Sequence, residues 1–312
     1  MNDKEYKIIR VAELYYKQGY SQQEIANILS VSRASVSRLI NDSKNRGIVE
    51  IKINTPYSID YVLSTKIKEQ FGLKDAIVVD IDDEDETITL SKVGKVAANF
   101  LMSILENDSI LGVSFGKHIK YVVESIPENQ FEHIEVVQLV GGLGSGDSNI
   151  DGPSLAMNLG DKLHGKSKYI NSPAVVHSKE IKEALVNQSQ ISQVFDVIAK
   201  CNFAIHGIGS LDEYNSSMQR SGYIDDSSID ELKNLNVVGH VLGNMIDIEG
   251  NNIRKENYYT IGAPLKTLKK LKWSIGVATN PLKYKAVLGA INGKYINCLI
   301  INRTLAKKLL NN

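Results

Sequence analysis

Two sets of residues in this 312-residue chain have the types and spacing to do chemistry. The first lies in SQQEIANILSVSRASVSRLINDSKNRG, residues 21–47. Arg33, Ser35, Ser37, Arg38, Lys44 and Arg46 are hydrogen-bond donors on one short stretch, and only Asp42 opposes them. An arginine can bridge two acceptors of guanine, and serine reaches bases or phosphate, so the set suits the surface of a duplex. The second set sits at four places where an apolar run ends: Ser114-Phe115-Gly116-Lys117-His118, Gly142-Leu143-Gly144-Ser145-Gly146, His206-Gly207-Ile208-Gly209-Ser210 and Thr279-Asn280-Pro281-Leu282-Lys283. Glycine turns and helix N-termini present backbone N–H groups to anions, and Lys117 and Lys283 add charge.

No G-x-G-x-x-G with a following acid and no H-E-x-x-H occurs. Asp147 and Glu249 are the candidate general bases of an enzyme reading, and nothing in the sequence pairs either with an acid. The run DDEDE at 82–86 has no histidine to frame a metal and reads as a solvated loop. His133, His164 and His177 read as surface or structural residues. No metal and no cofactor is expected.

The elements that must position the first set read as two helices and a tight turn. Ser21 and Glu24 form a capping box, Ile25 and Leu29 share a face, and Ala26 is small where a partner helix crosses. Ser30-Val31-Ser32 is the turn, with Val31 expected as its buried plug. Ser32 caps a second helix that turns Val36, Leu39 and Ile40 inward, and Gly47 suits its left-handed stop. This is the helix-turn-helix pattern. A helix over 4–18 supports it from before. IVEIKI after Gly47 reads as a short strand or wing with Lys52 outward, and Thr55-Pro56 as the linker. The domain boundary is placed at 1–55 and 56–312.

Beyond it, apolar strands alternate with helices: strands at 76–81, 109–114, 133–142, 201–209, 236–241, 274–279 and 297–302. Helices fall at 59–71, 88–106, 116–126, 152–164, 179–187, 189–200, 282–291 and over TLAKKLL. That alternation means a mainly parallel sheet covered on both faces. Ligands bind such sheets beyond the carboxyl ends of strands, which is where the second set lies.

Composition agrees with a globular α/β chain: 43% hydrophobic and 23% charged residues, with a formal net charge of zero. The charge is uneven, about +3 over 1–55 and −3 over the remainder, so only the head carries a nucleic-acid signature. Cys201 and Cys298 sit in apolar runs and read as buried thiols, not as a disulfide framework. The charged opening Met1–Arg10 and the lack of a long apolar run imply no membrane partner and a cytoplasmic location.

Taken with these motifs, the chain resembles the SorC family of bacterial sugar-responsive transcriptional regulators, of the deoxyribonucleoside-regulator and central-glycolytic-regulator type. The resemblance runs nearly end to end. It is carried by LYYKQGYSQQEIANILSVSRASVSRLINDSKNRGIVEIKI in the head, and by ILGVSFGKHI, IEVVQLVGGLG, AIHGIGS, IDIEG and VATNPLKYKAVLGAINGKYINCLIIN in the body. It implies a helix-turn-helix head followed by an effector domain resembling sugar-phosphate isomerases. The implied partners are double-stranded operator DNA, a phosphorylated sugar effector, and copies of the same chain in a tetramer built as a dimer of dimers. The resemblance gives Lys283 the place of a phosphate ligand, and Gly141, Gly142 and Gly144 that of the phosphate-side loop. Gly116, Lys117 and His118 fall where relatives carry Gly with Thr or Ser. Val140 falls where some carry an Arg or Lys that touches the sugar phosphate, in one case covalently, which valine cannot do. His240 falls where an acid usually contacts sugar hydroxyls. The alternative reading is an isomerase-like enzyme with an attached DNA-binding head.

Overall fold

The computed structural model describes residues 3–51, 58–82, 85–128, 131–144, 146–212 and 216–311. The chain divides into two compact units, Met1–Pro56 and Tyr57–Asn312.

In the first unit, helix α1 (Asp3–Ala12) runs into a π-helical turn at Glu13–Lys17, followed by α2 (Gln22–Leu29) and α3 (Arg33–Asn45). The Ser21–Glu24 capping box forms in both directions, and Ser32 caps α3 through the Ser35 N–H. A small core closes on Val11, Ile25, Ala26, Val36 and Ile40. Val31 does not plug it. Ser30 takes the left-handed conformation at φ +53°, its N–H and that of Val31 fold back onto the last turn of α2, and the Val31 side chain is left 39% exposed. Gly47 is left-handed at φ +68°, as its place after α3 requires. Ile48–Ile51 forms no strand, because the N–H groups of Ile48 and Val49 both return to the Ser43 carbonyl. Lys52 and the linker residues Thr55-Pro56 lie outside the described residues.

The second unit begins with α4 (Tyr61–Phe71), β1 (Asp75–Val79), α5 (Glu86–Ile104), β2 (Ile110–Val113), α6 (Lys117–Ser125), β3 (Glu135–Gln138) and α7 (Gly152–Lys162). It continues with β4 (Lys166–Lys168), β5 (Val175–Val176), α8 (Lys179–Val186), α9 (Ser189–Ile198), β6 (Phe203–Ser210), α10 (Ser217–Arg220) and α11 (Asp226–Asn234). The remainder is β7 (Gly239–Val241), β8 (Asn244–Ile246), β9 (Tyr259–Thr260), α12 (Leu265–Leu268), β10 (Trp273–Ala278), α13 (Tyr284–Asn292), β11 (Cys298–Asn302) and α14 (Arg303–Leu310).

Seven strands form a parallel sheet in the order β1-β11-β10-β6-β2-β3-β4, and β7 and β8 add antiparallel beyond the end of β6. Alternation of side chains supplies both faces, as a period of two demands. Val136, Ile205 and Ile300 pack with α5, α6 and α7, while Val137, Ala204 and Ile301 join the core under α9, α13 and α14. The strand expected at 201–209 is found at Phe203–Ser210, but the glycine turn expected over His206–Ser210 is not. Pairing with β7 through Ile208–Val241 keeps His206–Ser210 in the strand, so its glycines form no phosphate loop.

Cys298 is buried and Cys201 half-buried; burial pushes the Cys201 thiol up to about 12 and Cys298 higher, so neither is a thiolate at neutral pH. No helix among the described residues is long and apolar enough to cross a membrane.

Helices α5 and α6 touch at Gly94, where an added Cβ would stand 2.7 Å from the Tyr121 backbone. Gly94→Ala should gain about 1 kcal/mol of helix propensity but lose about 1–3 kcal/mol to overpacking against an immovable backbone. The second effect should win. Thermal melts should place the variant below the parent, and a raised Tm would show the helices can part cheaply.

Candidate functional site

Three of the four strand ends singled out by sequence converge on one cavity of about 450 Å³ at the carboxyl edge of the sheet. The turn after β2 brings Ser114, Gly116, Lys117 and His118; β6 brings Gly207 and Gly209; the turn after β10 brings Asn280 and Lys283. β7 adds His240, and α10 adds Arg220.

Each side chain is set by a local cause. Gly116 sits at φ +106°, a conformation open to glycine, and turns the chain from β2 into α6. No side chain caps α6, so the positive end of its dipole is left for another anion. Asn280 occupies φ +76°, rare for a residue with a Cβ, and its side chain accepts the Leu282 N–H to hold the turn. That turn carries Lys283, 4% exposed, whose ammonium donates to the Ile208 carbonyl at 3.1 Å. Gly209 is required beneath the His240 ring, because a Cβ there would overlap the imidazole.

Both histidines of the cavity are neutral at pH 7. The Thr279 N–H donates to His118 Nε2 at 3.0 Å, which makes that nitrogen an acceptor and puts the proton on Nδ1. Burial, then the charges of Lys283 and Lys117, hold His118 well below the ordinary imidazole range. Burial and the charge of Lys283 lower His240 to about 4. Its Nδ1 is buried with no hydrogen-bond partner among the described residues. Glu86 is the single carboxylate among the described lining residues; it receives the Lys117 ammonium at 3.0 and 3.2 Å. The arrangement can hold an anion: three cations, an open helix N-terminus and serine hydroxyls face one space.

The fourth strand end does not join them. Gly141, Gly142 and Gly144 are absent from the cavity lining. Their N–H groups are already spent: Gly141 on the Ile261 carbonyl, Gly142 on Ser172, and Gly144, with Leu143, on the Asp151 carboxylate. Asp151 thus takes the place an anion would need. Val140 is wholly buried. His133, His164 and His177 are exposed. Asp147 caps a 3-10 turn at Ser148–Ile150, and Glu249 lies in a different depression with Asp247 and Lys285. Of the acidic run, Asp85 caps α5, Glu86 pairs with Lys117, Asp82 faces Arg303, and 83–84 lie outside the described residues. Among the described residues no cluster of His, Cys, Asp or Glu could hold a metal.

Sequence reading missed Arg220 and the hydroxyls of Ser216 and Ser217. The signal was present in SSMQR, where Ser216 and Gln219 form a capping box that starts α10 and sets Arg220 on the cavity wall.

On α3, Arg33, Arg38, Lys44 and Arg46 are exposed, and Ser35 and Ser37 are half-buried. Ser35 Oγ is engaged with the cap Ser32 at 2.9 Å. Lys44 lies 5.9 Å from the Tyr16 ring centre.

The family described as "Putative sugar-binding domain" matches residues 56–311. The sorbitol operon regulator of Klebsiella pneumoniae is 30% identical over 97% of both chains. The crystal structure of that full-length regulator, SorC, superposes with a TM-score of 0.77 over 99% of this chain and all of the other. The chain belongs to the SorC family of transcriptional regulators. The deoxyribonucleoside regulator of Bacillus subtilis (strain 168) is 28% identical over 99% of this chain and 98% of its own. A SorC-family assignment makes this chain a regulator of transcription, and it leaves the isomerase-like enzyme without support, since the named relatives are regulators.

The cavity histidines give the SorC-family body a pH signature. A histidine whose folded pKa lies near 4 and whose ordinary pKa is 6.5 costs nothing above pH 6.5. Between pH 6.5 and 4 the unfolded chain takes the proton and the folded one does not, so stability falls. His206, buried against Ser274 and also lowered to about 4 by burial, acts in the same window. His240→Asn should flatten the loss of Tm between pH 6.5 and 4.5; an unchanged profile would mean His240 is not neutral in the folded state.

Proposed function

We propose that this chain binds double-stranded operator DNA through the helix-turn-helix of residues 1–55. Its grip is set by a phosphorylated sugar or related anionic metabolite held in the effector domain, residues 56–312. The observation that carries the reading is the cationic cavity at the carboxyl edge of a parallel sheet, in a family of sugar-operon regulators. Lys283, Lys117, His118, Arg220 and the N-terminus of α6 hold the anion, with Gly116 as the turn that lets it approach. His240 offers its unpartnered nitrogen to a ligand hydroxyl. The glycines 141, 142 and 144 act one step back, through the shape of the neighbouring loop.

In the head, Arg33, Ser37 and Arg38 read base edges. Ser35 contributes from the cap, and Lys44 and Arg46 hold phosphates. The exposure of the four cations on α3 and its continuation favours this reading. A major-groove helix used in pairs asks for half-sites about 34–36 Å apart or multiples of that spacing. The working form is a homo-oligomer, a tetramer arranged as a dimer of dimers, in the cytoplasm and away from membranes. The effector acts by binding one arrangement of that oligomer better than another, because equal affinity for both would shift nothing.

Two substitutions separate the two activities. Arg38→Ala should weaken operator binding by about 1–3 kcal/mol, measured by titration at one fixed salt concentration; unchanged affinity removes Arg38 from the interface. Lys283→Gln keeps a donor for Ile208. It should leave operator binding intact and abolish operator release across a panel of pentose and hexosamine phosphates. A normal response would place the phosphate elsewhere.

A further inference from the structure

The cavity is cationic but carries one acid on its rim. Glu86 is the first residue of α5, and it receives Lys117, the first residue of α6, at 3.0 and 3.2 Å. Both line the cavity, and the pair is open to solvent, with side chains 63% and 40% exposed. The two helix starts cannot drift apart freely, because α5 and α6 pack backbone to backbone at Gly94 and Tyr121. Glu86 therefore holds the Lys117 ammonium beside the uncapped end of α6, where an anion would sit. An exposed ion pair of this kind is cheap to break. A phosphate arriving at α6 takes the lysine, and the carboxylate is then left facing a second negative charge at close range, where like charges repel.

We propose that Glu86 is a specificity-determining residue of the effector site. It competes with the ligand's phosphate for Lys117, so it lowers anion affinity and sets the working concentration range of the response. This rests on the anion-binding reading of the cavity given above. The consequence is graded by charge. The penalty is larger for a dianionic phosphate monoester than for a monoanionic diester of the same sugar, and nil for the uncharged sugar. Asp85 does not share the role: its carboxylate is turned back onto the Thr87 and Ile88 N–H groups as the cap of α5.

The test is calorimetric titration of the full chain with inorganic phosphate, ribose 5-phosphate, its methyl diester and ribose. The proteins are the parent, Glu86→Gln, Lys117→Gln and the double variant, each checked by thermal melt. Glu86→Gln should bind inorganic phosphate and ribose 5-phosphate about threefold to tenfold more tightly than the parent, with a smaller gain for the diester. Lys117→Gln should bind them more weakly, and in its background the gain from Glu86→Gln should shrink, because the two residues act on one another. Phosphate binding that is equal in the parent and Glu86→Gln overturns the role of Glu86 alone. A gain that persists in full without Lys117 overturns the competition for that lysine. If neither phosphate probe binds the parent or Glu86→Gln, the anion-binding reading falls, and the inference with it.

Discussion

A lysine ammonium set inside the body, 4% exposed, is the constraint around which the effector side is built. Removing a cation from water is costly unless hydrogen bonds and opposite charge replace the lost hydration. Part of that replacement is the carbonyl of Ile208, in a strand that continues past the parallel sheet because β7 pairs with it. Burial first, and then the charge of the same ammonium, keep both cavity imidazoles neutral. Neutral histidines remain hydrogen-bonding groups, His118 with its Nε2 already accepting from Thr279, so the site combines full charge from Lys283 with uncharged partners. A sugar phosphate asks for that combination: a charged end and a set of hydroxyls.

The sheet order explains why residues from distant parts of the sequence meet. β2, β6 and β10 are neighbours, all parallel, so their carboxyl ends open on one edge. The turns after β2 and β10 supply His118 and Lys283, and β6 supplies Gly207 from within the strand, at separations of roughly 90 and 75 residues in sequence. The Thr279 N–H to His118 bond joins two of the turns directly. β3 lies one strand further out, and its glycine turn is closed by Asp151 before it can reach the shared space. Position in the sheet, not the presence of glycine, therefore separates the turns that face the cavity from the one that does not.

Much of this was legible in the sequence. Apolar runs marked the six long parallel strands, since strands buried on both faces leave an uninterrupted hydrophobic trace. Capping residues marked α2, α3 and Gly47. Lys117, His118 and Lys283 could be named because strand ends followed by helices are easy to locate. What was not legible depended on contacts with no local trace. That His206–Ser210 is strand and not turn depends on a partner strand some 30 residues on. Whether the Leu143 and Gly144 N–H groups face a ligand or an aspartate is decided by Asp151, an ordinary helix cap to any periodicity argument. The short β4 (KSK), β5 and β9 carry too little apolar pattern to be seen. Val31 looked buried because it is apolar, yet a single left-handed residue, Ser30, turned it outward.

Ligand control of DNA affinity requires that the ligand's binding energy differ between two arrangements of the molecule, and the size of that difference bounds the response. The body holds a fastening suited to feel such a difference. Its first described residues pair with the end of β1: Ser58 and Asp60 exchange backbone hydrogen bonds with Val78 and Asp80. Arg303, directly after β11, gathers Asp60, Asp80 and Asp82 onto one guanidinium. β11 lies between β1 and β10, and β10 runs straight into the Thr279–Lys283 turn of the cavity. The ligand turn and the fastening thus sit on one edge of one sheet, two hydrogen-bonded strands apart. A rigid sheet transmits little by bending, because its strands are locked on both faces. What can change with little cost are the turns at its edge and the ion pairs they carry. In this chain the exposed pair is Lys117 with Glu86, while Arg303 and its three aspartates form a more buried cluster. The energy that separates a gripping form from a released one is therefore expected in the turns and ion pairs at the sheet's edge, not in the sheet itself.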